Sequence, residues 1–304
     1  SRNRRWTTSS STTPAGNCAI REREQEVAWE FLTVYWREMI RFVRFRTQLF
    51  SSLLQPALWM AFFGVAMSSN FNRFTSAIPV PPGAVPVDYL TFMAAGVIAM
   101  TTLFTSLFGG ISLLFDKNWG LMREMLASPM PRTHIMMGVS LSGMTKSFIQ
   151  VAIIMAFGLL LGVQFFPGFS PARIAVSILG IFAFVGAFSL GFLLFSSNIS
   201  MRLESPEGLQ GIITLLTLPL FFVSNALYPI QAFPPLLQAL SIYNPLTHLV
   251  NGVRYFTLGS EFFAVGAEYS YTPTDILLSF AYLAVFAAVM YVLARRTFRR
   301  AVVT

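Results

Sequence analysis

Long charge-free runs alternate with short basic segments along this chain. Residues 47–72, 89–115, 174–199, 208–253 and 276–294 contain no Asp, Glu, Lys or Arg, and 134–162 contains only Lys146. A helix needs about 20 apolar residues to cross the hydrocarbon of a bilayer. The pattern therefore predicts six spans, near 48–67, 89–113, 134–162, 174–199, 208–226 and 276–294. Lipid offers no partner to open backbone groups, so the spans are helices. A membrane β-barrel would alternate with period two, and Val151 to Leu161 does not. The predicted class is an all-α integral membrane protein, with a single transmembrane domain over 25–304 after a disordered tail at 1–24.

The segments between spans add detail. Over 25–45, Glu26, Glu30, Thr33, Arg37, Arg41 and Arg44 fall within about 80° of arc at ~100° per residue. Trp29, Phe31, Leu32, Trp36, Ile40, Phe42 and Val43 cover the rest, so an amphipathic helix lying in the membrane interface is expected. Between the second and third spans, Asp116 can cap a short helix that Ser128, Pro129 and Pro131 end. That helix, 116–128, mixes Lys117, Arg123 and Glu124 with Trp119, Leu121, Met122, Met125 and Leu126. Such a mixture suits either a protein-docking knob or a helix resting on the bilayer. Four prolines between Ser68 and Asp88 predict an extended loop. Pro229, Pro234, Pro235 and Pro245 break 229–257 into two short helices, near 235–242 and 246–257, dipping back towards the membrane as a re-entrant hairpin.

Composition narrows the class further. Of 304 residues, 55% are hydrophobic and 11% charged, too few charges to coat a soluble fold of this size. The net charge of +8 is concentrated at the flanks of spans, not on one face as a nucleic-acid groove would require. With six spans both ends share a side. That side collects Arg21, Arg23, Arg37, Arg41, Arg44, Arg46, Lys117, Arg123, Arg132, Arg202 and the closing arginines, against Arg73, Arg173 and Arg254 on the other. Both termini are therefore expected in the cytoplasm, and the chain in the cytoplasmic (inner or plasma) membrane. One cysteine, Cys18, permits no intrachain disulfide. His134 and His248 are predicted on opposite sides, so no metal site is expected, and no nucleophile with a base beside it is found.

Two stretches carry a family resemblance: Trp119-Gly-Leu-Met-Arg-Glu-Met-Leu-Ala-Ser-Pro-Met-Pro-Arg132 and Asn244-Pro-Leu-Thr-His-Leu-Val-Asn-Gly-Val-Arg254. In this order, among six spans, they resemble the membrane subunits of type-2 ABC transporters, especially drug and lipo-oligosaccharide exporters. The resemblance implies that 116–128 is the coupling helix seated on an ATPase subunit. It makes 25–45, with Glu30, Arg37, Arg41 and Arg44, the connecting helix beside it. Asn244, Pro245, His248 and Arg254 would belong to the outer hairpin. It further implies two ATPases and two permease copies, as a homodimer or a paralogous heterodimer. Fused relatives carry their own ATPase; no Gly-x-x-x-x-Gly-Lys-Ser/Thr loop occurs in this sequence, so ATP and Mg are expected in a separate partner chain.

Polar groups within spans are the remaining candidates. Lys146, with Gln150 one turn on, either pairs internally, snorkels or touches substrate. Gln210, Thr214, Thr217, Ser224 and Asn225 recur at roughly helical spacing, and either line a substrate path or bond helix to helix. Gly109 and Gly110 are expected to serve packing. The functional expectation is an ATP-driven exporter permease for an amphipathic drug, lipid or lipid-linked glycan. The alternatives are an ion-coupled secondary transporter, which usually needs acids or histidine within its spans, and a lipid-modifying enzyme, which needs clustered acids or histidines at one interface.

Overall fold

A computed structural model describes residues 31–75, 85–127 and 131–300. Helix α1 covers residues 31–44 and breaks at Phe45. The first apolar run forms one rod: α2 (Arg46–Leu58), a π-helical stretch (Trp59–Gly64) and α3 (Val65–Thr75). Pro56, which has no N–H to donate, lies just before the widened turn. This rod outruns the 48–67 expected, since the helix continues through 68–72 and past Arg73 to Thr75. Then come α4 (Tyr89–Asn118), α5 (Leu121–Ala127), α6 (Arg132–Leu160), α7 (Pro171–Ser200) and α8 (Pro206–Phe222). Helices α9 (Pro235–Ile242) and α10 (Pro245–Leu258) form the expected pair of short helices, and α11 (Pro273–Arg300) closes the described chain.

Among the described residues, five stretches are long and apolar enough to span a membrane: Phe50–Phe71, Tyr89–Asn118, Thr133–Leu160, Pro171–Ser200 and Pro273–Phe298. The expected 208–226 span is instead α8, of 17 residues. At about 1.5 Å per residue it rises ~25 Å. Its chain leaves helical geometry after Phe222, so Ser224 and Asn225 lie beyond the helix rather than on its stripe.

Helix α4 is the spine. In its most apolar stretch 67% of residues are buried, against 17% in the first rod and 22% in α11, which places α4 inside and those two at the periphery. It packs chiefly on α7 and α6, while α7 also carries α11 and α10. Small residues allow the close approach: a Cβ on Gly110 would fall 2.2 Å from the Ser196 hydroxyl, which bonds the Leu107 carbonyl instead, and Ser200 donates to the Gly110 carbonyl at 2.7 Å.

To the helices the structure adds a small sheet that the apolar pattern does not announce, because its strands are too short to show alternation. Strand β1 (Val85–Pro86) runs parallel to β2 (Glu261–Ala264), which pairs antiparallel with β3 (Ala267–Ser270). The sheet defines one end of the molecule. Gln164 N–H donates to Thr91 Oγ1 at 3.1 Å and Phe166 N–H to the Thr257 carbonyl at 2.8 Å, so the α6–α7 turn and the end of α10 lie there too. At the opposite, charged end Lys117 donates to the carbonyls of Met201 and Leu203, and Thr297 bonds Asn198 at 2.6 Å.

Candidate functional site

At the charged end α1 crosses α6. Val34, Glu38 and Phe42, spaced by four, are the buried face of α1, and a Cβ on Gly138 of α6 would stand 2.7 Å from Val34 Cβ. Trp36, Ile40, Val43 and Phe45 stay exposed. An acid in the middle of an apolar stripe needs partners. Glu38, 1% exposed, receives Lys146 Nζ at 3.1 Å from α6, Ser112 Oγ at 3.1 Å from α4 and Arg37 Nη2 at 3.0 Å.

A second acid completes the cluster. Asp116, 2% exposed, accepts from Arg37 and from Arg41 Nη1 at 3.1 Å. Arg41 also lies 3.8 Å from Glu38, one turn away. The guanidiniums of α1 thus bridge two carboxylates on two elements, Arg37 through Nη2 and Arg41 through Nη1. Burial pushes the Glu38 carboxyl up, but Lys146 foremost, with Arg37 and Arg41, outweighs it and holds the group below the ordinary glutamate range.

This geometry revises several expectations. Arg37 and Arg41 keep only 31% and 28% of their side chains exposed and turn towards Asp116, which is buried in the last turns of α4. Neither Asp116 nor Lys117 belongs to the short helix. That helix begins at Leu121, after Gly120 at φ +80°, a left-handed conformation that suits glycine and separates α5 from α4. Of the residues expected to dock a partner, Met122 is buried and Met125 half-buried, taking Arg37 Nη1 at 3.5 Å. Trp119, 65% exposed, Leu121 and Glu124 face outward. Trp119 stacks on Phe115 at 5.2 Å and carries Arg41 over its ring at 5.7 Å. The side chains of Arg123 and Leu126, like Glu30 as a whole, lie outside the described residues. Arg44 is exposed.

The polar groups of the spans separate as well. Lys146 pairs internally with Glu38. Gln150 donates to Ser52 Oγ at 2.8 Å and accepts from Thr105, linking the first rod, α4 and α6. On α8, Gln210 and Thr214 are exposed and Thr217 is buried against its own helix carbonyl. Asn225 bonds Asn251 of α10.

At the sheet end Asn244 caps α10 through Leu246 N–H, and its amide donates at 2.7 Å to the Leu220 carbonyl, one of the open acceptors at the end of α8. Pro245 occupies the first turn of α10, where no donor is lost. His248 stacks on Tyr282 at 4.2 Å and bonds Ser279 and the Ile242 carbonyl. Arg254, with no exposed surface, is not a surface cation of the outer hairpin. Its Nη2 donates to the Asn225 carbonyl at 2.8 Å and its guanidinium lies 3.6 Å from the Phe92 ring centre. Glu38 is the residue the sequence reading missed. The available signal was one acid on the Val34–Phe42 apolar face.

These features define a polytopic helical membrane protein with a salt-bridged base at one end and a packed pair of short helices at the other. The chain belongs to the ABC-2 type transporter family, whose model matches residues 30–258, and is a permease of that class. It is 29% identical over 270 residues to a protein named putative transport permease ycf38 from Cyanophora paradoxa, covering 88% of each chain. It is 25% identical over 232 residues to the daunorubicin resistance ABC transporter permease protein DrrB1 of Streptomyces coeruleorubidus, covering 76% of each. To the inner membrane transport permease YadH of Escherichia coli it is 24% identical over 237 residues, covering 76% of this chain and 84% of the other.

Proposed function

We propose that this chain is the membrane subunit of an ATP-driven exporter, moving an amphipathic substrate outward under the power of a separate ATPase. The observation that carries the reading is the charged base. Arg37 and Arg41 of α1, Asp116 of α4 and Lys146 of α6 bind three elements into one rigid block directly above the exposed Trp119, Leu121 and Glu124. A force applied to that knob by a partner would be passed to α4 and α6 rather than lost in a loose loop. Trp119, Leu121 and Glu124 are the docking residues in this reading, with Asp116, Lys117, Met122 and Met125 as their support. ATP and Mg belong to the partner, two copies of which serve two permease subunits.

Six crossings with both termini in the cytoplasm fit the two ends of the fold. The pairing of β1 with β2 puts Val85 beside Phe262, so an even number of crossings separates them. Helices α4, α6 and α7 account for three, which leaves α8 as the fourth. The basic residues then gather at the end of Lys117, Arg202, Arg295 and Arg296, as cytoplasmic flanks do. An amphipathic cargo is supported by the apolar spans and by the relative named for daunorubicin resistance.

The test is purification of the detergent-solubilised chain from its native membrane, followed by an ATPase assay. A co-purifying ATPase that is lost with Trp119→Ala and Glu124→Arg, while the variants still insert, is the expected result. An ATPase-free complex under conditions that preserve other ABC assemblies would overturn the reading.

A further inference from the structure

Helix α8 has three sides. Leu209, Ile213, Thr217 and Phe221 bury against α4, whereas Leu218 and Phe222 are open. The third side looks towards α7 and α11 and, among the described residues, makes little contact with either. The gap is a groove of about 740 Å³, walled by Phe192 and Phe195 of α7, Leu216 and Pro219 of α8 and Phe286 of α11. The α9–α10 turn, with Tyr243 and Asn244, roofs it towards the sheet end.

Protein interiors are close-packed, and a space of this size beside membrane-spanning helices does not stay empty in a bilayer. Water needs polar partners to occupy a cavity, and those nearest are already engaged. Asn244 holds Leu220 and Leu246, and the Tyr282 hydroxyl donates to the Tyr243 carbonyl at 2.7 Å. Apart from the Tyr243 hydroxyl, the rest of the wall is ring and aliphatic carbon, and Leu215, 75% exposed, forms the lip.

We propose that this groove is a built site for an acyl chain of a bilayer lipid, which wedges α8 away from the α7–α11 pair and supports the α9–α10 turn from below. The site selects by shape and hydrophobicity alone, since its walls offer a guest no free side-chain amide or carboxylate. It stands apart from the docking end and does not depend on the exporter reading.

The experiment uses the full chain in phosphatidylethanolamine–phosphatidylglycerol vesicles doped with a phosphatidylethanolamine bearing a mid-chain diazirine. After illumination, adducts are mapped by peptide mass spectrometry. Severalfold more adducts are expected on the peptides of Phe192, Phe195 and Leu216 than at Leu179 and Leu278, which are simply exposed. Leu216→Trp, and separately Leu240→Trp at the roof, should reduce groove adducts severalfold and leave those at Leu179 unchanged. Groove labelling no denser than at Leu179, labelling insensitive to both fillings, or peptide cross-links from a second copy in place of lipid would each overturn the site. If one variant fails to fold, the wild-type map and the other variant still decide.

Discussion

Lys146 of α6 holds Glu38 of α1 at 3.1 Å, joining the first described helix to the interior of a long apolar one. Neither residue reads well alone. A lysine 14 positions into α6 is costly to insert unpaired, and an acid on the Val34–Phe42 face would be costly to bury. Together they neutralise one another; Ser112 donates to the same Glu38 oxygen as Lys146, and Arg37 takes the other.

Removing one partner is therefore expected to harm more than removing both. Lys146→Met leaves Glu38 buried beside two half-exposed arginines and should cost about 2–4 kcal/mol, less than the full penalty for an orphaned buried charge because Arg37 and Arg41 remain. Combining it with Glu38→Gln should recover most of that loss. Thermal unfolding of the detergent-solubilised single and double variants measures the coupling. Strictly additive losses would show that the pair contributes nothing as a pair.

The same carboxyl sets an acid limit. Its folded value lies below the ordinary one, so its contribution to stability is complete above the ordinary glutamate range and fades as pH falls through the depressed folded value. The melting temperature of the wild type should decline below about pH 4. Glu38→Gln, which has no proton to gain, should start lower and decline less over the same window.

Much of this fold could be read from charge alone. The runs flanking α4, α6, α7 and α11 give their positions because lipid tolerates few charges, and prolines 234, 235 and 245 mark α9 and α10 because each opens a helix. Side-chain direction was less legible. Arg37 and Arg41 share an angular stripe with Arg44, yet the first two point to Asp116 and the third to the open surface. Nothing within 25–45 announces a partner more than seventy positions away. The end of α8 was hidden for a different reason: 223–229 carries no charge, so the charge-free run continues where geometry changes. The groove beside α8 depends on how far apart helices stand, which no one-dimensional pattern records.

Close approach makes Gly96 a sharp test of the α4 spine. A Cβ there would stand 2.3 Å from the Ala226 carbonyl oxygen, a backbone atom that cannot rotate away. Gly96→Ala should cost about 1–3 kcal/mol and displace 223–229 from α4. Gly211→Ala, on the open side of α8 with nothing within 4 Å, should be neutral or slightly stabilising, since it only raises helix propensity. Thermal unfolding of both variants, side by side, separates packing from propensity.

Arg254 offers the last prediction. It is fully buried, and among the described residues no carboxylate pairs with it. What it has instead is a plane: Nη2 reaches the carbonyls of Asn225 and Ala226 at 2.8 and 3.3 Å, while the face of the guanidinium lies over Phe92, with Tyr269 at 5.7 Å. One group thereby joins the irregular chain after α8 to α4 and to β3. A flat, weakly hydrated cation can stack and donate in its own plane at once; an ammonium cannot. Arg254→Lys should therefore fail to rescue, losing the stacking and leaving a strongly hydrated charge in the interior. Arg254→Met removes the charge but orphans two carbonyls and should cost about 2–4 kcal/mol. If the arginine acts as this planar clamp, thermal unfolding will rank lysine no better than methionine. A lysine variant close to wild type would mean that positive charge alone is what the site requires.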